Sequence, residues 1–216
     1  MRRQVSHTLA TAPPEVLFVV SALSQYIGAA IAVSLFDEVD PATVAWFRIL
    51  GASVALLAIS PGFRRGWTRQ DLAGAAVFGI ATGLMNLFFY LAIARIDLGK
   101  SVAIEFIGPI AVAAATTRTL RNAVALVFAA VGVIVLGGVE IDDNTLGMVF
   151  ILLASAMWAV YIVVGARVAN VRSGLSGLGV GLAIGTLVLA PVGLPGSAPV
   201  WLSPTLLVLC CLTGVF

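Results

Sequence analysis

Residues 72–93 read LAGAAVFGIATGLMNLFFYLAI, a run without a charged side chain. A helix of about 20 apolar residues is long enough to cross the hydrocarbon core of a bilayer. Glycines within such a run are more frequent in membrane helices than in soluble ones. This stretch therefore predicts a membrane-spanning helix, and the rest of the chain is compared with it.

The composition of the whole chain has the same character. Of 216 residues, 61% are hydrophobic and 10% are charged, and the mean hydropathy is +1.11. Soluble domains carry about 25% charged residues, so this chain has too few polar side chains to cover a water-facing surface. We predict an all-α, polytopic membrane helix bundle whose main surroundings are the lipid bilayer. The net charge of +2 resides mainly in loops and does not indicate a nucleic-acid partner.

Apolar runs of spanning length recur along the chain and are separated by residues that end helices. Asp40-Pro41 and Leu194-Pro195-Gly196 are such stop signals. We predict an eighth apolar run beginning near Pro204 and seven spans, at roughly 16–35, 42–60, 72–93, 101–116, 122–138, 147–168 and 175–194. The glycines spaced by four, at 79 and 83 and at 177, 181 and 185, predict close helix packing.

The basic residues of the loops predict the orientation of the spans, because short loops rich in Lys and Arg stay on the cytoplasmic side. Nine arginines belong to the N-terminus and to alternate loops: Arg2, Arg3, Arg64, Arg65, Arg69, Arg118, Arg121, Arg167 and Arg172. The loops after spans one and five are acidic instead. Arg95 and Lys100 depart from this pattern, but the majority predicts a cytoplasmic N-terminus.

Two segments of similar character predict an internal repeat. Residues 21–28 of span one read SALSQYIG, and residues 153–161 of span six read LASAMWAVY. A repeat of five helices would run in the opposite direction in its second copy, as in many secondary transporters. We predict inverted repeats at 1–140 and 146–216. The second is expected to be truncated, because its last apolar run is too short to cross about 30 Å of hydrocarbon; a re-entrant segment is the alternative.

Three polar residues are expected within the lipid and are therefore candidates for a substrate-binding site. At 1.5 Å per residue, Arg48, Asn86 and Glu105 come to lie at similar depths, roughly 6 to 10 Å from the outer ends of their spans. Arg48 suits a carboxylate, and Glu105 suits an ammonium or a transferable proton. Alternatively, the two charges pair and hold their helices in register, or Arg48 extends to the interface.

Further candidates lie close to these residues in the predicted bundle. Gly108 and Pro109 predict a helix break just after Glu105. Trp158 and Tyr161 lie three residues apart, hence on one helix face, and are expected to bind substrate. Gln25, Tyr26 and Tyr90 could also line a cavity. Tyr90 and Trp46 lie near a membrane boundary, which favours an interfacial belt or helix packing for these two.

Several chemistries lack the residues that they need. The only histidine, His7, precedes the first span, which argues against a metal centre or a serine protease within the membrane. The only lysine, Lys100, lies at a membrane boundary and so does not predict a retinal protein. Cys210 and Cys211 are neighbours and are interpreted as packing residues. We expect no enzyme activity, metal or cofactor; a seven-span receptor stays formally open.

The motifs resemble the threonine/homoserine exporter branch of the EamA-type drug/metabolite transporters. The resemblance rests on residues 47–52 (FRILGA), 83–93 (GLMNLFFYLAI), 98–112 (LGKSVAIEFIGPIAV) and 158–162 (WAVYI). It implies a ten-helix inner-membrane protein of two inverted repeats that exports amino acids such as threonine and homoserine. The matched positions are Arg48, Asn86, Glu105, Gly108, Pro109, Trp158 and Tyr161.

The leading functional prediction is therefore a secondary transporter that exports small amino acids or related metabolites, with coupling to protons. It is expected in the inner cell membrane as a multi-pass protein. Alternatives are a generic drug or metabolite exporter, and a non-transporting fragment or assembly subunit. A homodimer could supply the helices that a shortened second repeat lacks.

Overall fold

The protein is described by a computed structural model that covers residues 14–60, 66–137, 143–169 and 174–215. Within these ranges the regular elements are α-helices: α1 (Pro14–Leu35), α2 (Pro41–Ile59), α3 (Arg69–Ile93), α4 (Leu98–Glu105), α5 (Ile107–Thr116), α6 (Leu120–Gly137), α7 (Thr145–Ala169), α8 (Gly174–Gly193), α9 (Ala198–Leu202) and α10 (Pro204–Leu212). The predicted all-helical bundle is confirmed. Some residues used above lie outside the described residues: Arg2, Arg3, His7, Arg64, Arg65 and Arg172, together with Glu140 and Asp142 of the acidic loop after span five.

Each of the seven predicted apolar runs is helical over most of its described residues, with the fourth divided between α4 and α5. Among the described residues, five stretches are long and apolar enough to cross a membrane: Pro41–Ile59, Arg69–Ile93, Leu98–Thr116, Thr145–Val168 and Leu175–Gly193. Val19–Leu35 and Leu120–Val135 are apolar but shorter. Large apolar side chains cover the outside of the bundle, where Phe128 is 74% exposed. The chain is thus a multi-pass membrane protein.

The helix ends follow the local signals in the sequence. Asp40 caps α2 by accepting a hydrogen bond from the backbone N–H of Ala42, and Pro41 occupies the first turn. Thr68 and Asp71 form a reciprocal capping box at the start of α3. Asp97 caps α4 through the N–H groups of its first turn. These caps satisfy backbone donors that have no partner within the helix.

Glycines allow the central helices to pack backbone against backbone. A Cβ atom on Gly79 of α3 would overlap the backbone of Gly181 in α8, and one on Gly185 would overlap the backbone of Gly79. Helix α8 also packs along α2, and α7 packs along α3. The predicted packing role of Gly79, Gly181 and Gly185 is confirmed.

The fourth span is interrupted at Phe106, between α4 and α5. Pro109 has no N–H to donate to the carbonyl of Glu105, and its ring would clash with that carbonyl in a regular helix. The interruption therefore falls one residue after Glu105. This position matters because the Glu105 side chain faces the interior of the bundle.

Candidate functional site

Arg48 lies in the middle of α2 and is half-buried. Its guanidinium donates a hydrogen bond to the hydroxyl of Tyr90 on α3, with an N···O distance of 2.8 Å. The guanidinium carbon also lies 5.7 Å from the centre of the Tyr90 ring, within the range of a cation–π interaction. Tyr90 thus holds the arginine head at a fixed place inside the bundle.

The structure shows that the interpretation of Tyr90 as an interfacial-belt residue is wrong. Tyr90 is fully buried, and the edge of its ring contacts Phe36 at a centroid distance of 5.8 Å, so it does not belong to an interfacial belt. Trp46 is buried too, and its indole N–H donates to the carbonyl of Thr186 on α8. Both are packing residues. Tyr90 lies four residues after Asn86, and this spacing on one helix face is a signal from which its inward position could have been predicted.

Glu105 is 2% exposed and lies at the last position of α4. It lines a small recess together with Arg48 and Asn86, so the three residues that were predicted at one depth meet at one place. The recess has a volume of about 10 Å³, close to the smallest volume that holds one water molecule. Its walls are Gln25, Tyr26, Ala29, Arg48, Met85, Asn86, Phe89 and Glu105.

A larger cavity of about 480 Å³ adjoins this recess and shares five wall residues with it. These shared residues are Gln25, Tyr26, Arg48, Met85 and Asn86. The volume falls within the range of about 300 to 1,000 Å³ that is typical of small-molecule sites. Helices α1, α2, α3, α5, α7 and α8 contribute to the cavity wall.

The aromatic candidates lie on the wall of this larger cavity. Trp158 stacks obliquely on Phe106, and Tyr161 on Phe78, each with a centroid distance of 5.2 Å. Trp158, Tyr161, Phe106 and Pro109 all line the cavity. The helix break thus forms part of the cavity wall.

Two of the predicted residues have positions that the sequence alone did not specify. Gly108 is buried against α7, where a Cβ atom would overlap the carbonyl of Ser155, so it allows close packing of α5 and does not line the cavity. Asn86 donates its side-chain N–H to the carbonyl of Thr82 on its own helix, at 2.9 Å. This bond fixes the amide on the wall that the recess and the cavity share.

The arrangement provides an anchored cation and a buried carboxyl at one end of a cavity that has aromatic walls. A guanidinium binds a carboxylate through two parallel hydrogen bonds, and a carboxylate opposite it suits an ammonium group. The described part of the chain contains no cluster of three His, Cys, Asp or Glu side chains that could hold a metal ion. Chemically, an anchored guanidinium next to a buried carboxyl is an arrangement that can accommodate a small zwitterion.

Fold and site together define a multi-pass helical membrane protein with a cavity between its helices that has polar side chains at one end. The chain is similar to the threonine/homoserine exporter RhtA of Escherichia coli strain K12, with 32% identity over 183 residues, covering 83% of this chain and 62% of the relative. RhtA of Salmonella typhimurium strain LT2 is 31% identical over the same shares of both chains. The chain thus spans less than two thirds of these relatives. No protein-family model matches it, and no solved structure is significantly similar.

Proposed function

We propose that this chain is an amino-acid exporter of the threonine/homoserine type, in the EamA-type group of drug/metabolite transporters. The observation that carries the proposal is the cavity of about 480 Å³ whose polar end combines Arg48 with the recess of Glu105. The relatives named above are exporters of threonine and homoserine. Both molecules are small zwitterions, which is the chemistry that this pair of charges suits.

In the proposed complex, Arg48 binds the α-carboxylate of the substrate while Tyr90 keeps the guanidinium in place. Glu105 either provides the negative charge that binds the ammonium group or carries the coupling proton. Trp158 and Tyr161, which line the larger cavity, contact the substrate side chain, and Asn86 offers its side-chain oxygen at the polar end. The break at Phe106 lies beside Glu105 and supplies a point at which the fourth span can bend during transport.

The helix packing supports inverted repeats at 1–140 and 146–216. If α1, α2 and α3 correspond to α7, α8 and α10, the contacts between the halves form matching pairs. The contact of α3 with α7 corresponds to that of α10 with α1, and the contact of α3 with α8 corresponds to that of α10 with α2. The contact between α2 and α8 corresponds to itself, because these two helices are equivalent in the two halves. The site then lies between the halves, as in other transporters built from inverted repeats.

The proposed location is the inner cell membrane, with a cytoplasmic N-terminus. Arg69 and Arg118 follow spans two and four, Arg167 lies in the last turn of span six, and together they mark one side of the bundle. Asp37 and Glu38 follow span one and mark the other. This alternation fits the preference of basic loops for the cytoplasm.

An export assay tests the proposal. Cells that overexpress the chain are grown with inhibitory threonine or homoserine, and the intracellular amino acid is quantified, with E. coli RhtA as positive control. We expect lower accumulation than in cells with an empty vector, and loss of this effect in Arg48→Ala. Arg95→Ala removes an arginine at the membrane boundary, outside the cavity, and is expected to retain export.

The same assay separates the alternatives. Unchanged accumulation with the chain, beside active RhtA, would contradict export by this chain and favour a non-transporting subunit. Export of unrelated drugs at equal rates would favour a generic exporter. If export requires two copies of the chain, coexpression of Arg48→Ala with the wild type is expected to lower the activity of the wild type.

A further inference from the structure

The recess beside Glu105 is far smaller than the cavity that it adjoins. The cavity has a volume of about 480 Å³ and the recess one of about 10 Å³. Three of the recess walls are uncharged polar side chains, Gln25, Tyr26 and Asn86, and two are the charged groups of Arg48 and Glu105. A space of this kind suits one small polar group with several hydrogen-bond partners.

The wall residues determine how a zwitterion would be oriented there. Arg48 lines both the recess and the cavity, whereas Glu105 lines only the recess. The amino and carboxylate groups of an α-amino acid are attached to the same carbon atom. A substrate whose carboxylate binds Arg48 at the border can therefore direct its ammonium toward Glu105 and leave its side chain in the cavity.

The size of the recess limits which amines fit. An ammonium group has one heavy atom, as water does, and the recess volume is close to the smallest that holds one water molecule. The remaining wall residues are apolar: Ala29 and Phe89 line only the recess, and Met85 lines the cavity as well. Ala29 is 1% exposed and Phe89 is 7% exposed, so neither wall is open to the surroundings.

We infer that the recess is a binding site for the primary ammonium group of the substrate and that it excludes N-alkylated amino acids by size. This inference rests on the proposed function and adds to it a selectivity at the amine. A single methyl group on the substrate nitrogen keeps the positive charge and adds one heavy atom next to it. Discrimination then comes from the shape of the recess rather than from charge.

Ala29 offers a direct way to enlarge the recess. Ala29→Gly removes one methyl group from the wall and makes room for the methyl group of an N-methyl substrate. Ala32→Gly is the matched control, because Ala32 is also buried in α1 but lines neither the recess nor the cavity. Both variants carry the same helix penalty for glycine.

The experiment measures displacement of radiolabelled L-threonine by N-methyl-L-threonine, with the full chain in lipid nanodiscs. We expect N-methylthreonine to bind at least about tenfold more weakly than threonine to the wild type and to Ala32→Gly, as for an extra carbon in a fitted pocket. In Ala29→Gly the difference is expected to fall to about threefold or less.

Equal binding of both amino acids to the wild type would overturn the inference and place the ammonium in the larger cavity. An unchanged difference in Ala29→Gly would overturn it too, because the discrimination would then arise elsewhere. Absence of saturable threonine binding to the wild type is a distinct result, which would overturn the proposed function itself.

Discussion

One face of α3 has two regions that differ sharply in packing. At Gly79 the backbone of α3 touches the backbone of α8, with no room for a Cβ atom. Two turns further along, at Asn86, the same face lines the recess and the cavity. The two positions are about 10 Å apart along the helix. Tight packing of small residues thus stabilises the bundle at one level, while the polar site occupies the next level.

The difference teaches which substitutions should affect folding and which should affect binding. Between membrane helices, stability comes from close contact of small residues, since lipid provides little hydrophobic driving force for their association. Buried polar groups lower stability unless they are satisfied, so their presence indicates function. Substitutions in the glycine contact are therefore expected to act on the fold, and those at the recess on transport.

Gly79→Leu is expected to have the largest effect. A leucine there overlaps the backbone of Gly181, so α3 and α8 must separate, at a cost of more than about 3 kcal/mol. The yield of monodisperse protein in detergent is expected to fall to near zero. Gly132→Leu on α6 is the control, since a Cβ there meets no atom within 4 Å. Equal losses in both variants would contradict a special role for the contact.

Glu105→Gln tests the recess with almost no change in shape. We expect normal yield and an export rate lower by about a hundredfold, which corresponds to about 2.7 kcal/mol, as for removing the buried charge that would pair with the substrate ammonium. Glu38→Gln makes the same chemical change at an exposed position and should leave export unchanged. Export by Glu105→Gln at the wild-type rate and without dependence on a proton gradient would exclude the proposed role of Glu105.

Tyr90→Phe tests the polar site alone, because it removes the hydroxyl on α3 that accepts a hydrogen bond from Arg48 on α2. The guanidinium of Arg48 loses its partner at 2.8 Å but keeps the aromatic ring beside it. We expect the KM for threonine to rise by about threefold to tenfold, the size of the net contribution of one ordinary hydrogen bond. The maximal rate is expected to stay constant. A lower maximal rate at constant KM would mean that Tyr90 does not position Arg48 for binding.

Pro109→Ala is expected to have the smallest effect. It restores an N–H that can bond to the carbonyl of Glu105 and removes the clash that interrupts the helix at Phe106. We expect a melting temperature higher by about 2 to 4 °C, equivalent to about 1 kcal/mol in a chain of this size. Thermal unfolding of purified protein measures this shift. A lower melting temperature would show that the neighbouring helices require the break.

The positions of the helices could be predicted from the sequence, because length, hydropathy and stop residues act locally. The similar depths of Arg48, Asn86 and Glu105 followed from the helical rise, and the structure places all three around one recess. The function of this recess stays a prediction. The glycine spacing likewise predicted close packing, which the contact at Gly79 confirms.

Other features depend on which helices are neighbours, and local patterns do not determine this. The hydrogen bond between Arg48 and Tyr90 joins residues 42 positions apart, and Tyr90 was therefore assigned to a belt or to packing. Gly108 was grouped with Pro109 as a helix-breaking pair, but its close approach to Ser155 depends on the path of α7. The division of the site into a recess and a cavity could not be predicted from the sequence either.

The most direct test of the central claim is equilibrium binding of radiolabelled L-threonine to the purified chain in nanodiscs, compared between the wild type, Arg48→Ala and Arg95→Ala. If Arg48 anchors the substrate carboxylate, the dissociation constant rises by at least about tenfold in Arg48→Ala and stays at the wild-type value in Arg95→Ala. Saturable binding of equal strength in all three proteins would contradict the assignment of the cavity as the amino-acid site.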